Sequence, residues 1–191
     1  MQNKLRIIAG KWRSRVIHFD DVPDLRPTPV RVRETLFNWL QEDVAGSCCL
    51  DLFSGSGALG FEAASRGAKK VTLVENNALA CRTLRENSVL LEASQVQVVN
   101  GDVLRFLASN TQAPADRYNL VFLDPPFANN CTAEVCHALE DNGWLQQGAK
   151  IYIETPAQLA LQNLPLHWQV LRHKTAGEVG YHLLLRNPQA T

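Results

Sequence analysis

No stretch of this 191-residue chain strings together the 18 or so apolar residues that a membrane-spanning helix needs. The opening Met1-Gln2-Asn3-Lys4 is polar and runs into alternating residues, unlike a basic start followed by an apolar block. Neither a transmembrane helix nor a signal peptide is therefore expected. Metal and disulfide chemistry are equally thin. The five histidines are scattered, and Cys48, Cys49, Cys81, Cys131 and Cys136 form no CxxC pair and share no ligand spacing with them. The thiols read as small buried hydrophobes of a reduced, cytoplasmic protein, and no metal is expected. No serine or cysteine stands with a histidine in a hydrolytic arrangement. What the chain does have is 46% hydrophobic residues. That suffices for one domain that buries roughly 70% of its unfolded surface, which excludes disorder.

Charge of either sign is also not in excess, with 19 Lys+Arg against 19 Asp+Glu. The zero total hides a separation: residues 1–40 carry a net +4, residues 41–171 a net −6 and residues 172–191 a net +2. Basic ends that met in space would guide a polyanion to an acidic body. An unevenly charged solvated surface is the plainer reading, and charge alone leaves both open.

Leu5 to Ala9 and Ser14 to Phe19 read as a hairpin turning through Gly10-Lys11-Trp12-Arg13. Thr28-Pro29 supplies an N-cap and first helical residue, and Val32, Leu36, Trp39 and Leu40 repeat at helical spacing, leaving Arg31 and Arg33 to face outward. Residues 1–40 are thus a basic hairpin-and-helix extension of a main domain over 41–191. From Cys48 the rhythm alternates. Strands are expected at Cys48–Phe53, Lys70–Glu75, Gln95–Val99, Tyr118–Leu123 and Ala149–Glu154. Helices are expected at Ala58–Arg66, Ala78–Leu91, Val103–Ser109 and Ala133–Glu140. This is an α/β sandwich around a mostly parallel sheet. His167–Lys174 and Gly180–Arg186 form a closing hairpin whose last strand enters antiparallel.

The first helical crossover opens with Asp51-Leu52-Phe53-Ser54-Gly55-Ser56-Gly57-Ala58-Leu59-Gly60. Gly55, Gly57 and Gly60 satisfy GxGxxG and Glu75 ends the next strand, so a dinucleotide site competes here. Asp51 favours another ligand, because a carboxylate just before the turn suits a cationic amino group better than a pyrophosphate. Asp51, Glu75 and Asp102 follow successive strands and would share one sheet edge. They match a ligand with an amino-acid end, a ribose and an adenine, such as S-adenosylmethionine. A plain tight turn with capping aspartates is the structural alternative.

The strand Tyr118 to Leu123 runs into Asp124-Pro125-Pro126-Phe127. Two prolines fix two φ angles and offer no N–H, making a rigid shelf between a carboxylate and an aromatic ring. Asp124 and nearby carbonyls can accept hydrogen bonds from the exocyclic amine of a purine, while Phe127 stacks on the base for about 1–3 kcal/mol. Accepting the amine protons aims its delocalised lone pair at a methyl donor, so catalysis rests on alignment and preorganised acceptors. A proline-terminated strand with a buried phenylalanine is the plainer reading.

Together these residues resemble the class I S-adenosylmethionine-dependent methyltransferases, and more narrowly the bacterial small-subunit rRNA guanine-N2 methyltransferases, the D-type rRNA methylases. The resemblance covers nearly the whole chain. It is carried by Arg6 to Arg15, Leu25 to Thr28, Arg31 to Leu40, Asp51 to Gly60, Leu123 to Phe127 and Glu140 to Leu145. It implies a Rossmann-like seven-stranded sheet with the last strand antiparallel. It further implies methylation of the 2-amino group of guanine 966 of 16S rRNA in the 30S subunit. Separately, a monomer is expected. On that basis Asp51, Ser54, Gly55, Gly57, Glu75 and Asp102 hold S-adenosylmethionine, and Asp124, Pro125, Pro126 and Phe127 are catalytic. Arg13, Arg15, Arg31 and Arg33 are assigned to rRNA phosphates from the basic N-terminal segment. The chain departs from the family at Ala9-Gly10, where Gly-Gly is common, and at Pro29-Val30, where Thr-Asp is common.

Overall fold

A computed structural model describes residues 3–22, 27–109, 117–126 and 131–188. β1 (Asn3–Arg6) and β2 (Val16–Phe19) form an antiparallel hairpin, followed by α1 (Val30–Trp39). The main body runs β3 (Cys48–Leu52), α2 (Ala58–Ser65), β4 (Lys70–Glu75), α3 (Ala78–Leu90), β5 (Val96–Asn100), α4 (Val103–Ala108) and β6 (Tyr118–Leu123). It continues through α5 (Thr132–Asp141), β7 (Leu145–Pro156), β8 (Trp168–Ala176) and β9 (Val179–Arg186). The seven-stranded sheet has the order β5-β4-β3-β6-β7-β9-β8. The first five strands in that order are parallel, and β9 enters antiparallel between β7 and β8. This is the Rossmann-like class I methyltransferase architecture. No helix among the described residues is long and apolar enough to cross a membrane.

Apolar side chains alternate across the sheet as strand geometry requires. Leu50, Leu52, Val121, Leu123, Ile151 and Ile153 face α4 and α5. On the other face Cys49, Leu73, Phe122 and Tyr152 pack with Leu36 and Phe37 of α1, with Phe61 of α2 and with Ile17 and Trp12 of the hairpin. Every residue of α2 is buried, because the sheet lies on one side of it and the extension on the other. Burial pushes the Cys49 and Cys136 thiols up to about 12, leaving them un-ionised and inert.

The hairpin docks through backbone. Lys11 N–H donates to the Ser65 carbonyl at 2.7 Å and Trp12 N–H to Ser65 Oγ at 2.9 Å. Gly10 has φ +83° and a Cβ there would lie 1.9 Å from the Ser65 carbonyl oxygen, so only glycine permits this approach. Asn87 of α3 extends the pairing of β2, accepting from His18 N–H at 3.0 Å and donating to its carbonyl at 2.7 Å.

Two expectations for the extension are corrected. Arg33 does not face outward: it is 2% exposed, donates to the Arg6 carbonyl at 3.1 Å and pairs with fully buried Glu62 at 3.7 Å. One turn on, Leu36 and Phe37 are buried on the same face, so position 33 follows the docking stripe rather than the solvent side. Nor does Thr28 cap α1. The helix starts at Val30 with Pro29 at the N-cap and no side-chain cap, while the buried Thr28 hydroxyl hydrogen-bonds Glu154.

Candidate active site

Five neighbouring strands, β5-β4-β3-β6-β7, deliver their carboxyl ends to one edge of the sheet. Each carries an acid at or near that end: Asp102, Glu75, Asp51, Asp124 and Glu154. With adjacent strands about 4.8 Å apart, the row spans roughly 19 Å. Strand order reverses between β3 and β6, which opens the crevice where α/β sheets take their ligands, between Asp51 and Asp124.

The glycine loop is built from this edge. Asp51 is 3% exposed and its Oδ2 accepts the Gly60 N–H at 2.9 Å. A Cβ on Gly60 would lie 2.2 Å from Leu73 Cδ2 and 2.9 Å from that oxygen, so the bare backbone is what lets α2 approach β3 and β4. Gly57, at φ +73°, starts the helix in a left-handed conformation. The Ser54 hydroxyl donates to the Asp51 carbonyl at 2.7 Å, so this side chain shapes the loop from within. Glu75 bridges two loops, its Oε2 accepting the Gly55 N–H at 2.9 Å and its Oε1 the Asn77 N–H at 2.8 Å. Each oxygen keeps a lone pair for a hydroxyl donor. Asp102 is exposed and caps α4 by accepting the Arg105 N–H at 3.0 Å. His18, Phe19 and Asp20 of the extension line a small cleft with Gly55 and Ser56.

On the other side of the crevice, Asp124 is partly buried, Pro125 buried and Pro126 exposed. Phe127 lies outside the described residues. Burial pushes the Asp124 carboxyl well above the usual carboxylate range, and the Glu154 and Asp51 charges add to that. Asp51 is likewise pushed up by burial, against the pull of the Gly60 N–H. Among the described residues no lysine, arginine or histidine forms an ion pair with Asp51, Asp124 or Glu154. Buried carboxyls without a cation beside a bare-backbone loop fit a ligand that brings its own positive charge and amino group. That donor set suits S-adenosylmethionine and argues against a pyrophosphate.

The structure thus brings Asp51, Ser54, Gly55, Gly57, Glu75, Asp102, Asp124, Pro125 and Pro126 to one sheet edge. Arg13, Arg15 and Arg31 are exposed on the extension, where Arg15 also donates to the Leu90 carbonyl at 2.8 Å. Arg33 is not among them. Sequence reasoning missed Glu154, although Ile151-Tyr152-Ile153-Glu154 repeats the form of Leu73-Val74-Glu75, apolar residues ending in an acid. It also missed Tyr152 and Thr28, whose hydroxyls meet Glu154.

Known proteins fall in line with this geometry. The family described as Conserved hypothetical protein 95 matches residues 5–185. Ribosomal RNA small subunit methyltransferase D of Escherichia coli K12 is 44% identical over 97% of this chain and 92% of its own length. The protein of that name from Haemophilus influenzae is 44% identical over 95% of this chain and 94% of its own. The solved structure of yhhF from Escherichia coli superposes with a TM-score of 0.90 at 43% identity, covering 98% of this chain and all of that one. The cation-seeking crevice and these relatives lead to one conclusion: the chain belongs to the ribosomal RNA small subunit methyltransferase D family and is an S-adenosylmethionine-dependent methyltransferase.

Proposed function

We propose that the protein methylates the exocyclic N2 amine of a guanine of 16S rRNA, at position 966, within the cytoplasmic 30S subunit. The observation that carries this reading is the partly buried Asp124 carboxyl, set on a rigid proline pair directly across the crevice from the glycine loop. The names of the curated relatives support the substrate class. When bound, S-adenosylmethionine supplies an electrophilic methyl group. Asp51 takes the amino-acid end and Glu75 the ribose hydroxyls, with Asp102 at the adenine. Asp124 accepts a hydrogen bond from the guanine amine, which draws that nitrogen toward a pyramidal shape and aims its lone pair. Pro125 and Pro126 keep the acceptor from swinging away.

Labelled S-adenosylmethionine offered with unmodified 30S subunits, naked 16S rRNA and duplex DNA, followed by nucleoside mass spectrometry, tests the reading. N2-methylguanosine on the subunits is the expected product. Label in adenine or cytosine, or in no nucleic acid at all, would overturn it.

Arg13, Arg15 and Arg31 are proposed phosphate contacts, and Arg33 is not. Replacing any of the three with alanine is expected to reduce the slope of log affinity for the subunit against log salt by about 0.7–0.9. An unchanged slope removes that arginine from the set.

A further inference from the structure

Glu154 is 3% exposed, yet no part of the reaction as described uses it. Its place is fixed by register. Leu123 of β6 pairs with Ile153 of β7 in parallel, so Asp124 and Glu154 are the next positions on neighbouring strands. Asp124 continues the face of Phe122 and Glu154 that of Tyr152, and both of those rings pack on the α1 side of the sheet. The two carboxyls therefore leave the sheet side by side on the same face.

Among the described residues, groups from β3, β6, β7, β9 and the segment before α1 approach Glu154. Asp51 approaches from β3, Asp124 from the end of β6, and Tyr181 of β9 sits directly opposite in the antiparallel ladder. Tyr152, two residues back on β7, donates its hydroxyl to Glu154 Oε1 at 2.8 Å, and Thr28 donates from the segment before α1. Arg33, the buried cation of α1, is already held by Glu62 and the Arg6 carbonyl. For two carboxyls at adjacent register positions, with hydroxyl donors and, among the described residues, no ion-paired cation, carrying full charge on both is unfavourable.

We propose that Glu154 is a positioning residue of the methyl transfer: with Asp124 it forms a carboxyl pair that holds one proton between its members and takes up the proton the attacked amine loses. This rests on the reading of Asp124 as the amine acceptor. As the N–C bond forms and the C–S bond breaks, the C–S electron pair stays on sulfur and the nitrogen becomes strongly acidic. One of its protons passes to Asp124 and leaves later to solvent. An isolated carboxylate would be a weak acceptor for it. The Glu154 charge makes Asp124 a stronger one, in line with the burial that pushes both carboxyls up and the Glu154 and Asp51 charges that push Asp124 further.

The test titrates the carboxyl carbons of the ¹³C-labelled protein by NMR and follows single-turnover methylation of 30S subunits against pH. In the wild type the Asp124 and Glu154 signals are expected to share two steps, one of them above the usual carboxylate range. Glu154→Gln removes the like charge, so the Asp124 step and the rising limb of the rate profile both move to lower pH, by about one unit or more. Glu154→Asp restores most of that displacement. A purely structural role predicts a scaled-down rate with an unmoved limb, which would overturn the proposal. So would independent single-step titrations of the two carbons in the wild type, a result that needs no variant. Asp124→Asn separates the two levels. If it retains the wild-type rate, the amine-acceptor reading fails and this inference with it. If it is inactive while the Glu154→Gln limb coincides with wild type, only this inference fails.

Discussion

Asp124→Ala should lower the single-turnover rate on 30S subunits by about 10²–10³-fold, the loss usual for deleting one preorganised polar group at a reacting centre. The cofactor should still bind nearly as before. Asp51, Glu75 and the glycine loop hold one another through the Gly60, Gly55 and Asn77 N–H groups, and none of those bonds passes through Asp124. Equilibrium titration with S-adenosylmethionine beside the rate measurement separates the two effects. Because Asp124 adds negative charge to an already crowded acidic face, its removal also relieves repulsion on Asp51. A variant that is slow yet fully folded is therefore expected. Equal rates in variant and wild type would remove Asp124 from the reaction.

The second large effect concerns stability. Glu62 is fully buried in α2 and accepts from Ile8 N–H at 2.8 Å, Ala9 N–H at 3.0 Å and Arg66 Nε at 2.7 Å, with Arg33 at 3.7 Å. Glu62→Ala strands two backbone donors and leaves Arg33 a buried cation without its counter-charge. Breaking such a pair from one side costs about 3–5 kcal/mol. That is a large fraction of the roughly 5–15 kcal/mol that holds a domain together. Urea unfolding should show it as a lower midpoint with an unchanged slope. Replacing both partners with apolar residues, as in Arg33→Met with Glu62→Leu, should recover much of the loss, because the lone buried charge is gone. The exposed Arg82–Glu86 pair on α3 is the control: Glu86→Ala should cost no more than about 0.5 kcal/mol. A Glu62→Ala effect as small as that would mean the buried pair contributes nothing.

Much of this molecule was legible because its chemistry lies on strands with strong apolar patterning. Tyr118 to Leu123 and Lys70 to Glu75 are strands with the expected bounds, the first running into Asp124 and the second ending at Glu75 on the sheet edge. The glycine loop was legible for a related reason, since close packing of strand on helix leaves few choices but glycine. Pairing across long sequence separations was not legible. Arg33 looked like a surface charge because nothing in its own helix reveals Glu62, which lies in α2 among alanines. Thr28 looked like a cap because a threonine before a proline at a helix start usually is one, and its actual partner is 126 residues further along the chain. Glu154 was visible as a strand end, but only the β6–β7 register puts it beside Asp124. β7 also runs from Leu145 to Pro156, longer than expected, because polar Gln146 and Gln147 and Gly148 interrupt the apolar pattern without ending the strand.

The burial of α2 between sheet and extension also determines how the molecule opens. Ile8, Ala9, Lys11 and Trp12 all donate their amides to α2, and the hairpin, α1 and one face of the sheet share a single apolar core. The hairpin cannot lift away without exposing a helix that has no solvent face. Its amide protons should therefore exchange with solvent at rates close to those of β3, through global opening rather than local fraying. The exposed arginines of the hairpin move as one body with α2 and the sheet it covers.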